Sequence, residues 1–173
     1  MPKSFPAALL VASIVLRILS VLNWSYGGIV LAILIGMLTA EHWTMTALGV
    51  APSAETVHMI QGMRMIAVVG LAGVPLHYIV LTRLLAIVNT VRAGDPFVAK
   101  NAVRLQLIAW VVLGQQGLQL FSGLIAMSVS TPTHSLPISA FSTGGWLAVI
   151  LLFVLARVFA EGTRMRDDLE GTV

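Results

Sequence analysis

Four long, almost wholly apolar stretches run along the chain, separated by short polar interruptions. The first begins with Ser4-Phe5-Pro6 as a helix start and carries Arg17 within it. The apolar run at 29–40 is too short to cross a bilayer by itself, so the two runs are joined into one helix over about 6–40. Its span covers about 18–40, with Trp24 and Tyr26 inside and Gly27-Gly28 as a flex point. Arg17 then anchors the membrane edge, its charge snorkelling to water. Two half-helices forming a re-entrant hairpin are the alternative. Lys3 followed by an apolar run imitates a secretory signal, but Arg17 interrupts the apolar core and no small-x-small cleavage site follows.

Glu41-His42-Trp43 marks the far interface, with two polar groups and an amphipathic ring at headgroup level. Residues 44–62 read as an external loop, with one helical turn from Ser53. The second span covers about 63–85 and contains Gly70, Gly73 and Pro75, which membrane helices tolerate when neighbours satisfy the freed backbone groups. Apolar spacing continues past Arg83 through Leu84, Leu85, Ile87, Val88 and Val91, so the helix extends to about residue 93. Thirty-one residues reach about 46 Å, well beyond a ~30 Å hydrocarbon core. A third helix of similar length runs from Pro96 to about Met127, with its span at about 105–127. Between them lies the cytoplasmic turn, 92–104. Gly94 closes one helix, Asp95 caps the next, and Pro96 takes its first position, where a missing N–H costs nothing. A second external loop follows at 128–140, then a fourth span at about 141–159 and a polar tail, 160–173.

The pattern predicts an all-α membrane protein with a single domain over 1–173. It is a four-transmembrane-helix bundle with both termini cytoplasmic, whose long second and third helices form a hairpin that projects into the cytoplasm. Composition sharpens this class. The 173 residues are 58% hydrophobic and only 10% charged, where soluble domains carry about 25% charged residues. Cysteine is absent, which excludes disulfides and thiolate chemistry. A net charge of +3 and a pI near 10.0 raise the question of nucleic acid. The placement of the charges answers it. Lys3, Arg17, Arg83, Arg92, Lys100, Arg104, Arg157, Arg164 and Arg166 fall on one side of the predicted membrane and Arg64 on the other. That is the positive-inside asymmetry of a multi-pass membrane protein, with no direct nucleic-acid binding implied.

Candidate chemistry is sparse. Polar residues within spans are functional candidates. Gln115, Gln119 and Ser122 share one face of the third helix by i, i+4 and i+7 spacing, with Gln116 beside them and His77 next to Pro75 in the second helix. They read either as a polar lining for a ligand or as interhelical hydrogen bonds that fix packing. His42, His58 and His134 lie on the external side with Glu41 and Glu55, but on separate loops and without metal-ligand spacing, so no metal or other cofactor is expected. Asp95 is explained as a cap. No nucleophile–base order, phosphate-cradling loop or intramembrane acid is present, so no catalytic residue is assigned and the chain reads as non-enzymatic. Gly70, Gly73, Gly114, Gly117 and Gly144-Gly145 suit close helix approach, within the bundle or in a homo-oligomer.

The run Gly94-Asp95-Pro96-Phe97-Val98, continuing through Asn101-Ala102 and Arg104-Leu105, resembles the central signature of the bacterial membrane proteins grouped as domain of unknown function 2975. The ending over 152–173, with Ala156-Arg157, Glu161-Gly162 and Arg164-Met165-Arg166-Asp167-Asp168, resembles that family's C-terminal signature. The resemblance implies a four-span inner-membrane protein, often found beside a small helix-turn-helix regulator, and brings no catalytic residues. The expected function is regulatory: a membrane sensor or anchor for a small cytoplasmic transcription regulator. The docking face would comprise Asp95, Phe97, Lys100, Asn101 and Arg104 of the turn with Arg157, Glu161, Arg164, Arg166, Asp167 and Asp168 of the tail. The tail acids would pair with Lys100 and Arg104, and Phe97, Asn101 and Arg104 would share one face turned toward the tail. A small transporter or ligand-binding bundle, with His77, Gln115, Gln119 and Ser122 lining a polar cavity, is the alternative. A structural or oligomeric scaffold is the other.

Overall fold

In the computed structural model, which describes residues 7–40, 43, 46–47, 56–129 and 141–170, the chain is all-α. Its four long helices are α1 (Ala7–Thr39), α2 (Thr56–Arg92), α3 (Ala99–Val129) and α4 (Thr143–Glu170). Each is long and apolar enough to cross a membrane, and the chain is a multi-pass membrane protein. In hydrocarbon the backbone has no water to bond, so a helix that satisfies its own N–H and C=O groups is the available solution. A third of the most apolar stretch of α3 (33%) is buried within the protein, against 6% in α1 and in α2 and 11% in α4. That makes α3 the helix best able to carry amides, and it holds Gln115, Gln116 and Gln119. The outward surface is apolar instead, with Val21, Leu124, Ile150 and Leu151 all exposed.

The first helix is a single continuous element, not two half-helices. Three expected boundaries shift. α2 begins at Thr56, so its first turns occupy what reads in sequence as external loop, and Trp43, Thr46 and Ala47 are helical too. α4 continues without a break to Glu170, turning most of the expected tail into helix. α3 begins at Ala99, three residues after Pro96. The Asp95 carboxylate binds the Arg166 guanidinium rather than capping α3, and residues 95–98 are not helical. Residues 41–42 and 130–140, with His42 and His134, lie outside the described residues, and His58 is exposed on α2.

The chain divides into two compact units, Met1–Leu22 with Leu76–Gly114 and Thr143–Val173, and Asn23–Pro75 with Gln115–Ser142. In the first, Leu105, Ile108, Ala109, Val111, Val149 and Ala156 are buried. In the second, Met37 and Ile60 form the centre, with Ile33 and Met63 packed against them. There α1 meets α2 closely. Asn23 Nδ2 donates to the Val74 carbonyl at 3.0 Å, beside Pro75, and Arg64 donates to the Met37 carbonyl in the last turn of α1. A cation there meets a carbonyl of the last helical turn, at the negative end of the helix dipole.

Gly62 sets the closest approach in the second unit. A Cβ at this position would lie 2.6 Å and 2.8 Å from the two γ-methyls of Val129. Alanine gains about 1 kcal/mol over glycine in an open helix, but the stiff χ1 of valine gives little room to yield. Overpacking costs about 1–3 kcal/mol and should win. Gly62→Ala is therefore expected to lower the unfolding midpoint in detergent, and Gly62→Ala with Val129→Ala to restore it. Gly70→Ala, with open space around the new methyl, should leave the midpoint unchanged or raise it.

Candidate functional site

The turn between α2 and α3 is built by hydrogen bonds that begin with the helix stop. Gly94 has φ 87°, a left-handed conformation that costs glycine little and other residues more. Gly94 N donates to the Val91 carbonyl at 3.0 Å and Asp95 N to the Thr90 carbonyl at 3.1 Å, the paired pattern that ends a helix with a left-handed residue. The chain then runs through Asp95, Pro96, Phe97 and Val98 until Asn101 N donates to the Val98 carbonyl at 2.8 Å and α3 begins.

Asn101 is fully buried at the centre of this arrangement. Its Nδ2 donates to Thr90 Oγ1 at 2.7 Å and to the Pro96 carbonyl at 2.9 Å. Its Oδ1 accepts from Arg104 Nη1 at 2.8 Å, and Arg104 Nη1 also reaches the Ala86 carbonyl at 3.3 Å. One amide thus ties the end of α2, the turn and the start of α3 together, with α2 and α3 antiparallel.

The turn is in turn held to α4. The Phe97 ring packs against Phe159, with centroids 5.4 Å apart and the planes tilted by 34°. Gly162 lets it do so, since a Cβ there would lie 3.1 Å from Phe97 Cδ1. Arg166 and Asp95 complete the contact, but both side chains are more than 40% exposed, and such pairs contribute about 0–1 kcal/mol. An aromatic contact adds about 0.5–1.5 kcal/mol beyond its buried area, so Phe97 is the stronger anchor. Trp110 meets Phe153 edge-on at 5.1 Å farther along α3 and α4.

Two expectations change here. One ion pair between turn and tail has the opposite sense, the turn giving the acid and the tail the base, and Arg104 is engaged by Asn101 and Ala86. Phe97, Asn101 and Arg104 do not share a face. Phe97 turns to α4, while Asn101 and Arg104 turn to α2. Asn101 is therefore a structural centre, sealed from any partner. Lys100, Arg157, Glu161, Arg164, Arg166 and Asp168 stay exposed, and Asp167 lies on α4.

The intramembrane candidates fall in both units. Gln119 and Ser122 line a cavity of about 450 Å³ in the second unit, mostly walled by apolar side chains such as Ile33, Met37 and Ile66, with Tyr26 at its edge. Gln115 is half-buried outside that lining, and His77 is exposed in the first unit. The side-chain amide nitrogens of Gln115 and Gln116 are buried without a hydrogen-bond partner. Sequence reasoning missed Thr90, the acceptor for Asn101, and Asn23, the donor to Val74. It also missed an open groove of about 550 Å³ between α3 and α4, onto which Arg157 and Arg164 face. The readable signal for the groove is alanine at helical spacing, Ala99 with Ala102 and Ala156 with Ala160.

A protein family described as Protein of unknown function (DUF2975) matches residues 38–173, and the chain belongs to that family. No curated protein and no solved structure matches the chain.

The Asn101 network gives a direct test. Asn101→Ala strips two half-buried acceptors, Thr90 Oγ1 and the Pro96 carbonyl, and a guanidinium of their partner at once, and an unmet buried group costs about 1–3 kcal/mol. Its unfolding midpoint in detergent should fall by several degrees. Lys100→Ala, next to it but exposed, should change the midpoint little.

Proposed function

We propose that this protein is a non-enzymatic protein of the bacterial inner membrane, with both termini cytoplasmic, that holds a small helix-turn-helix transcription regulator at the membrane. The observation that carries the reading is the pinned turn. Phe97 and Asp95 hold the α2–α3 turn against α4, and exposed charges of both signs surround the contact. A preorganised surface loses less entropy on binding than a loose loop does. Sidedness is supported by charge: Arg17, Arg83, Arg92, Lys100, Arg104, Arg157, Arg164 and Arg166 belong to the unit that contains the turn, and Arg64 to the other. Positive charge of this kind favours the cytoplasmic side. Glu161, exposed near the end of α4, is the one acid within the four candidate spans, which supports a role without proton-coupled or proteolytic chemistry. The regulator as partner follows from the neighbourhood that the family resemblance implies.

A second reading is favoured by one observation. The cavity lined by Gln119 and Ser122 has the size and mainly apolar walls of a small-ligand site, and a lipophilic signal bound there suits a sensor.

Affinity purification of the tagged full-length protein from its native membrane is expected to recover a small DNA-binding protein. Lys100→Glu with Glu161→Lys should reduce that recovery at least tenfold, since like charges across an interface cost several kcal/mol, while leaving the unfolding midpoint in place. Finding no such protein, or equal recovery with the double variant, refutes the docking role.

A further inference from the structure

We propose that the groove between α3 and α4 binds an anionic glycerophospholipid, one acyl chain lying in the groove and the phosphodiester held by Arg157 and Arg164. The groove lies wholly within the first unit. Its volume of about 550 Å³ falls in the range of ligand pockets. Space is opened by small side chains on both walls, Ala99 and Ala102 on α3 and Ala156 and Ala160 on α4. Phe153 lines it as well, and Trp110 packs edge-on against that ring, so the apolar lining continues along both helices.

Charge selects the occupant. Arg157 and Arg164 are the charged residues lining the groove, both exposed, and Glu161 between them in sequence does not line it. Seven residues apart, they sit on one face of α4, about 10 Å apart along its axis. Both lie in the second half of the stretch Thr143–Arg166 that is apolar enough to span the membrane, Arg164 two residues from its end, and a long arginine stem lets each guanidinium snorkel to headgroup level. A guanidinium holds phosphate through two parallel N–H donors, and basic pockets between helices on the cytoplasmic side suit anionic headgroups. A zwitterionic lipid would fill the same groove but would bring no net charge to match the two arginines.

This inference is independent of the docking role, whose test residues Lys100 and Glu161 do not line the groove. The experiment is native mass spectrometry of the full-length protein in detergent, titrated with phosphatidylglycerol or phosphatidylcholine. Wild type is expected to retain phosphatidylglycerol at least tenfold more strongly. Arg157→Gln and Arg164→Gln should each weaken that retention by about fivefold, the share expected of one basic residue near an anionic surface. Arg17→Gln, an exposed arginine on α1 outside the groove, should not. Ala160→Leu should diminish retention of both lipids by filling the groove. Equal retention of the two lipids, or an Arg157→Gln/Arg164→Gln protein that binds like wild type, overturns the proposal. Displacement of the lipid by millimolar inorganic phosphate would assign the arginines to a free anion instead. A dimer that Ala160→Leu dissociates would assign the groove to a second copy of the chain.

Discussion

The turn between α2 and α3 depends on one buried amide. Asn101 is fully enclosed, and a polar side chain in that position is tolerable only when its hydrogen bonds are met. They are met by groups from three places, Thr90 on α2, Pro96 in the turn and Arg104 on α3. Meeting them fixes where α2 stops, how the chain crosses, and where α3 begins. The Gly94 stop supplies the reversal, but a glycine turn alone leaves the following residues free to choose their direction. The Asn101 bonds remove that choice and present Phe97 to α4.

The bilayer imposes the other constraint. Each helix must satisfy its own backbone and show apolar side chains outward, so polar groups are admitted where protein covers them. α3 is the helix with the most covered apolar stretch, and it carries Gln115, Gln116 and Gln119. Close approach between helices is bought with glycine at two places, Gly27 against Val74 and Gly62 against Val129. Along Ala99, Ala102, Ala156 and Ala160 small residues instead line an open groove. Small side chains thus serve opposite ends, tight packing at some positions and open space at others.

Much of this was legible in the chain. Apolar run length located four helices, and extension of apolar spacing past Arg83 correctly carried α2 on to Arg92. Gly94 announced its own role, because few other residues take a positive φ without strain. Asp95 and Pro96 misled. Both have strong local preferences for a helix start, yet tertiary contacts with Arg166 and Phe159 drew residues 95–97 away from α3. The tail misled for a related reason, since polar composition marks departure from lipid and not the end of a helix. The site residues were harder. Nothing local distinguishes the buried Asn101 from the exposed Lys100 beside it; the difference is the Thr90 hydroxyl eleven residues away, a pairing that exists only once the turn is made. The glycines that sequence spacing favoured, such as Gly70 and Gly117, have open space around them, whereas Gly62 carries its role through a valine 67 positions downstream.

Turn, α3 start and α4 extension therefore form one locked surface, and the proposed docking role requires that it face the cytoplasm. The native chain has no cysteine, so an introduced pair reports without background. The most direct measurement places Asp95→Cys with Arg166→Cys in the full-length protein in native membranes, follows disulfide formation under mild oxidation, and labels the reduced pair with a membrane-impermeant maleimide. A locked cytoplasmic surface predicts rapid, near-complete cross-linking, with labelling in inverted vesicles and not in intact cells. Failure to cross-link, or labelling from outside intact cells, would contradict it.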